Sequence, residues 1–221
     1  FLGPNGAGKT TTIKMLTGLL EPDDGHASIV GFDIQREPLK AKAQLAYVPD
    51  TPSLYGKLKA IEYLRFMAQL YHVPSDEAEE RIQRLLDLFE LTDKAGGYLD
   101  GFSHGMQQKV SIIGAFLHDP KIILLDEPTV GLDPRSARLV KDLLSQHSDS
   151  GNAVFFSSHI LEIVEHMCDR VIIIDKGAIL ADAAVEELRQ MRGDRSLEDI
   201  FLELTGGKDV DDMVRELGNA G

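Results

Sequence analysis

Residues 3–10 read GPNGAGKT, the spacing G-x-x-x-x-G-K-[ST], and each part of that spacing has a mechanical reason. Gly3, Gly6 and Gly8 let the backbone turn back on itself so that successive N–H groups converge on a phosphate. Lys9 reaches the outer phosphates, the Thr10 hydroxyl is placed to hold a magnesium ion, and the helix starting near Lys9 aims its positive end at the anion. Average residue frequencies produce the pattern in roughly one random chain of this length in a hundred. Its surroundings favour function over chance, because apolar Phe1 and Leu2 precede it and a helical run follows. Two residues are too few for the buried strand that feeds such a loop, so at least one strand is expected ahead of Phe1.

Composition bounds what the rest of the chain can be. With 221 residues, 43% apolar and 27% charged, it has enough material for one globular domain with a sizeable core. A formal net charge of -13 argues against a broad basic surface, so nucleic acid is not an expected partner. The single cysteine, Cys168, leaves no internal disulfide, no grouping suits a four-ligand zinc site, and the cytosol is the consistent compartment. The longest apolar runs, IILL at 122–125 and VIII at 171–174, fall far short of the roughly 20 residues a membrane helix needs.

Outward from the glycine loop, short β-branched runs alternate with helical periodicity, which predicts an α/β fold with a mostly parallel sheet flanked by helices. KIILLDE, AVFFSSH and RVIIIDKG are the clearest strands, and ASIVGFDI and QLAYVPD are shorter ones. Helices are expected over residues 9–19, 134–146 and 160–167. Residues 58–118 hold three helical patterns with no strand between them, and read as an inserted helical lobe. The second of these starts at Ser75, with Asp76 and Glu77 in its first turn, where capping and the helix dipole favour them. The first has Lys59, Glu62, Arg65 and Gln69 on one narrow side and Leu58, Ile61, Tyr63, Leu64, Phe66, Met67 and Leu70 over the rest. That surface suits either burial within the lobe or docking of a partner helix. From residue 196 onward, SLEDIFLELTG and DVDDMVREL read as two short amphipathic helices. The expected division is a core of residues 1–49 and 119–185, a lobe of 50–118 and a tail of 186–221.

Open α/β sheets bind ligands at the carboxyl ends of their strands. KIILLDEP ends in Asp126 and Glu127, AVFFSSH in His159 and QLAYVPD in Asp50. If these strands run parallel, their polar ends share an edge with the glycine loop. Asp126 is then a candidate magnesium partner, Glu127 a candidate general base for water, and His159 a candidate donor to a terminal phosphate. Read singly, an Asp-Glu-Pro corner is usually a turn and a lone histidine a satisfied polar residue. FSHGMQQKV at 102–110 offers Ser103 as a helix cap, and GLDP at 131–134 offers Asp133 as an N-cap with Pro134 at the first helical position. Neither identifies a function by itself.

The order GPNGAGKTT, FSHGM, ILLDEPTVGLDP and FSSH resembles the nucleotide-binding subunit of ABC transporters over residues 1–177. That resemblance implies a RecA-like P-loop NTPase that binds ATP and magnesium and hydrolyses ATP. It makes residues 3–11 the Walker A loop, with Asn5, Gly6, Ala7, Gly8, Lys9, Thr10 and Thr11 on the nucleotide. Asp126 and Glu127 become Walker B, Ser103 and Gly105 the signature, Asp133 part of the D-loop and His159 the switch histidine. Catalysis then rests on Glu127, His159 and Lys9, and the metal on Thr10, Asp126 and Asp50. In the family two cassettes pack head to tail, so that Ser103 and Gly105 of one chain close over ATP held by the other. The implied partners are an integral-membrane permease and a second ABC ATPase, as homodimer or heterodimer, at the cytoplasmic face of the cell membrane.

Three departures stand out. His104, Gly105 and Met106 replace the usual pair of glycines and glutamine of the signature. The aromatic residue that stacks on adenine in the family is expected upstream of Phe1. Asp50 stands where the Q-loop glutamine belongs, and a carboxylate about 4 Å from a phosphate oxygen is repelled by roughly 4 kcal/mol at an effective dielectric of 20. Asp50 is therefore expected to bind magnesium, directly or through water. FSHGM, Asp50 and the LEDIFLELTG tail resemble the ATPases of ABC-2-type and Ecs-like exporters. The alternative is a soluble ABC-type ATPase of translation or DNA repair. Those types bring a second cassette, a long coiled coil or zinc cysteines, none of which this sequence shows.

Overall fold

The computed structural model describes residues 1–191 and 196–206, so the DVDDMVREL segment lies outside the described residues. In chain order the elements are α1 (Lys9–Leu16), β1 (Ser28–Ile29), β2 (Phe32–Asp33), α2 (Pro38–Ala43), β3 (Leu45–Val48), α3 (Ala60–Leu70), α4 (Ser75–Leu88) and α5 (His104–Phe116). They continue with β4 (Ile122–Asp126), α6 (Pro134–Asp149), β5 (Ala153–Ser157), α7 (Leu161–Met167), β6 (Arg170–Asp175), β7 (Ala178–Ala184), α8 (Val185–Met191) and α9 (Leu197–Thr205). The described residues form two compact units, one of Phe1–Thr12 with those from Ser157 on, the other of Ile13–Phe156.

In the Ile13–Phe156 unit, β3 and β4 pair in parallel from Leu45 opposite Ile122 to Val48 opposite Leu125, and β5 lies on the other side of β4. Ile123, Leu124 and Leu125 are all buried, as continuous apolar runs in parallel strands require. Helices α3, α4 and α5 follow one another without an intervening strand, as the periodicity predicts. Helix α4 carries Asp76 and Glu77 in its first turn, but its N-cap is Pro74 and Ser75 is already helical, so Ser75 does not cap it. The extended φ of Pro74, -56° with ψ 139°, supplies the non-helical entry that Ser75 was expected to make. ASIVGFDI is not one strand but a hairpin, in which Ile29 pairs with Phe32 across Val30 (φ 50°) and Gly31 (φ 82°). Two consecutive left-handed residues make the tight turn that suits twisted strands, and valine in that region hides it from a propensity reading. Helix α2 was also not legible in advance; six residues opened by Pro38 carry too little periodicity.

In the other unit, Leu2 lies in parallel register with both Ser158 and Ile173. Its N–H donates to the Ile172 carbonyl and its carbonyl accepts from Ile174 N–H, each at 2.8 Å. β6 and β7 form an antiparallel hairpin closed by Lys176 (φ 48°) and Gly177 (φ 79°). Helix α9 confirms the SLEDIFLELTG reading: Ser196 and Asp199 form a capping box and Gly206 ends it at φ 73°. Leu197 and Ile200 are buried there. The Glu165 carboxylate of α7 accepts from Leu197 N–H at 2.9 Å and pairs with Arg189 at 3.4 Å, which ties the helix down. Among the described residues no helix is long and apolar enough to cross a membrane.

Candidate functional site

The glycine loop belongs to the unit containing Phe1–Thr12, and its shape tolerates no side chain at Gly3. A Cβ there would stand 2.4 Å from the Ile174 carbonyl oxygen. Gly6 (φ 78°) and Gly8 (φ 108°) occupy backbone regions that side-chain-bearing residues rarely adopt. Ala7 closes the turn by donating its N–H to the Pro4 carbonyl at 3.1 Å and accepting from Gly177 N–H at 2.9 Å. Lys9 is 8% exposed. Its Nζ donates to the carbonyls of Gly3 at 2.7 Å and Pro4 at 3.2 Å, so the ammonium folds across its own loop. Asn5, Gly6 and Thr11 are exposed, and Thr10 is half-buried at the start of α1.

His159 lies in the same unit. Ser158 donates its N–H to the Phe1 carbonyl at 3.2 Å and accepts at its Oγ from Ile160 N–H at 3.0 Å. Because Leu2 runs parallel to Ser158, the glycine loop and the exposed His159 leave from the same edge. The predicted grouping of these two therefore holds.

The three carboxylates belong to the Ile13–Phe156 unit. Val48 pairs with Leu125 at the end of the β3–β4 register, and Asp50 and Glu127 each follow two residues later. Asp50, Asp126 and Glu127 thus come out at one carboxyl edge, as expected for parallel strands. Asp126 is 2% exposed. The Tyr47 phenol is pushed up to about 12, first by burial and then by the negative charges of Asp126 and Asp50. Asp50 is exposed and accepts from Thr51 N–H at 2.7 Å. Glu127 sits at φ 49°, immediately before Pro128. A left-handed non-glycine residue costs about 1–3 kcal/mol, and strain of that kind concentrates where a side chain must be aimed.

The signature stretch caps its helix as expected: Ser103 accepts from Met106 N–H at 3.3 Å at the start of α5. Asp133 caps α6, accepting from Ser136 N–H at 2.9 Å and Ser136 Oγ at 2.6 Å. These bonds, joined by Lys109, hold its carboxyl well below the usual carboxylate range. The two motifs also touch each other. A Cβ on Gly105 would meet the Gly131 carbonyl oxygen at 2.6 Å, and one on Gly131 would meet the His104 ring at 2.5 Å. Lys109 Nζ pairs with Asp133 Oδ2 at 3.1 Å. Sequence reasoning missed Lys109 and Gly131. The signal was available in Lys109, the lone lysine of an otherwise uncharged, largely buried helix, which calls for an acidic partner. Gly105→Ala is expected to lower stability by about 1–3 kcal/mol, the range for forcing atoms into a filled site, as read by denaturant midpoint.

These residues fit the groups that the sequence implies. The loop is a cradle that a Cβ at Gly3 would fill, and Lys9 is a buried ammonium that donates to two loop carbonyls, which a phosphate oxygen can replace. Among the described residues no group of three His, Cys, Asp or Glu is arranged for a metal ion. Magnesium is normally held by one or two carboxylates together with substrate phosphates, so a site for it needs no such group.

Comparison with known proteins agrees with this geometry. The ABC transporter family profile matches residues 1–130. The linearmycin resistance ATP-binding protein LnrL of Bacillus subtilis is 40% identical over 181 residues, which is 82% of this chain and 58% of that protein. The SkfA peptide export ATP-binding protein SkfE of the same organism is 39% identical over 190 residues, 86% of this chain and 79% of that protein. A solved structure of an ATP-binding subunit of an ABC transporter superimposes with a TM-score of 0.87 at 37% identity, covering 92% of this chain and 86% of that one. The chain belongs to the ABC transporter family, as one of its ATP-hydrolysing subunits.

Proposed function

We propose that this ATPase works at the cytoplasmic face of the cell membrane as one of two cassettes, a homodimer or a heterodimer with a second ABC ATPase, and drives export through an integral-membrane permease. The observation that carries the nucleotide chemistry is the glycine loop closed by its own lysine. The amides of residues 5–11 bind the phosphates, and Lys9 exchanges the carbonyls of Gly3 and Pro4 for phosphate oxygens. Glu127 holds and accepts the proton of the attacking water, and His159 donates to the terminal phosphate. Ser103 and Gly105 face the nucleotide of the opposite cassette, and Asp133 positions that contact through its bonds to Ser136 and Lys109. Thr10, Asp126 and Asp50 would hold the magnesium ion, which supplies charge neutralisation on the phosphates.

Two observations support a membrane partner over nucleic acid. The net charge is -13, which disfavours phosphate tracking. On α3 the expected burial and the expected docking each claim part of the surface. Ala60, Tyr63, Leu64 and Ala68 are buried, while Phe66 and Leu70 stay exposed at 40% and 56%. Tyr55, exposed at 62%, stacks edge-on against Phe66 with ring centroids 5.8 Å apart, which makes a contiguous apolar face for a permease helix. The similarity to SkfE, a peptide export ATP-binding protein, supports the outward direction.

Asp50 provides the test. Purified protein is expected to hydrolyse ATP only with magnesium, and Asp50→Gln to shift the magnesium concentration for half-maximal activity upward by several fold. An unchanged magnesium titration removes Asp50 from the metal site. Failure of the unsubstituted protein to bind nucleotide in calorimetry rejects the whole reading.

A further inference from the structure

His104 opens α5 at a signature position where the family usually carries glycine, and nothing in the chemistry above uses its ring. The residue is exposed, and the Ser103 cap is made without its side chain, through Met106 N–H. The imidazole lies instead against Gly131. A Cβ on Gly131 would stand 2.5 Å from Cδ2 and 3.0 Å from Nε2 of the ring, so that edge fills the space where a side chain would begin. Gly105 continues the contact: a Cβ on it would come within 2.6 Å of the Gly131 carbonyl oxygen.

Gly131 lies in the segment that leaves the proposed base. The Glu127 carbonyl accepts from Val130 N–H at 3.1 Å and the Thr129 carbonyl from Leu132 N–H at 3.3 Å, so two overlapping turns carry the chain from Glu127 to Asp133. Pro128 is buried at one end, and Asp133 is held at the other by Ser136 and Lys109. Lys109 and His104 belong to the same helix, so α5 grips the segment at its middle and at its end. Gly131, at φ 77°, has the backbone freedom that only glycine brings. Glu127, at φ 49°, has the opposite character: such a backbone persists only where the surroundings over-determine it. A ring seated on Gly131 takes away the freedom through which that strain would relax.

We propose that His104 is a positioning residue for ATP hydrolysis: its ring, seated on Gly131, holds residues 128–133 so that the Glu127 carboxylate stays aimed at the attacking water, a role that rests on Glu127 being the base of the proposed function. Holding the segment takes a flat side chain of this size and no nitrogen chemistry. A histidine acting on phosphate takes the nitrogens, so substitution separates the two roles. Misplacing a catalytic group by about 1 Å costs up to about 10²-fold in rate, and a partial relaxation passed along four residues costs less.

The experiment uses the whole chain with His104→Gly, which removes the ring and leaves the Ser103 cap, and with His104→Phe, which keeps a flat ring without nitrogens. His104→Gly is expected to lower kcat about five- to tenfold with the KM for ATP within about twofold. In the nucleotide-free protein it should speed amide exchange at Val130 and Leu132 about fivefold, because the turns that protect those groups lose their brace. His104→Phe should bring both readouts back to within about twofold of the unsubstituted protein. Unchanged exchange in His104→Gly, or faster exchange with kcat unmoved, overturns the proposal. So does a His104→Phe protein as slow as His104→Gly, or a loss confined to KM, since either places the action of the ring on the nucleotide itself. Undiminished turnover in Glu127→Gln rejects the base and this role with it. The expected dependence on Glu127, with turnover indifferent to His104→Gly, rejects this role alone.

Discussion

Glu127→Gln is expected to leave ATP affinity within twofold and to lower turnover by about 10²- to 10⁴-fold, the contribution typical of a positioned general base. The substitution removes the proton acceptor and keeps the shape of the side chain. Glutamine has the same length, and it tolerates the φ of 49° at this position no worse than glutamate, so the backbone strain before Pro128 is unchanged. Asp126, buried beside it, is unaltered, so the metal partner proposed there survives. With hydrolysis slowed and binding intact, ATP should hold two cassettes together, and size-exclusion chromatography in ATP and magnesium should show a dimer that the unsubstituted protein populates only briefly. Phosphate release at the normal rate would take the base assignment from Glu127.

How much of this was readable from residues alone depends on the range of the interaction. Strands β4, β5 and β6 were legible because each is a short run rich in apolar residues, and β4, inside a parallel sheet, is buried along nearly its whole length. The caps at Ser103 and Asp133 were legible because each needs only its own next three residues. Convergence of Asp50, Asp126 and Glu127 followed once parallel pairing was assumed, and the β3–β4 register bears it out. Several of the misses are contacts between residues far apart in the chain. The turn at Val30 and Gly31 defies valine's preference, and it holds because the arms β1 and β2 pair across it. The meeting of Gly105 with Gly131, and of Lys109 with Asp133, joins residues separated by some two dozen positions, and only packing brings them together.

Lys9→Met separates the bonds the ammonium makes to its own loop from the phosphate contact proposed for it. In the nucleotide-free protein Nζ satisfies the carbonyls of Gly3 and Pro4, and Gly3 is buried against Ile174. Methionine retains the length of the stem and the packing of its methylenes, but it donates nothing. A buried carbonyl that loses its partner costs about 1–3 kcal/mol, less if water reaches it. The nucleotide should suffer on a separate account, because a hydrogen bond to a charged group contributes about 1.5–3 kcal/mol. That range corresponds to about 10- to 150-fold weaker ATP binding. The two losses have different signatures: the first appears in the denaturant midpoint without nucleotide, the second in calorimetric affinity. Free phosphate or ADP should be affected less than ATP, since Lys9 is proposed to reach the outer phosphates. If affinity falls only in proportion to the loss of stability, the lysine is a brace for the loop. If affinity falls tenfold or more with the midpoint unmoved, the ammonium grips phosphate directly, and its bonds to Gly3 and Pro4 serve to keep a buried charge satisfied until the nucleotide arrives.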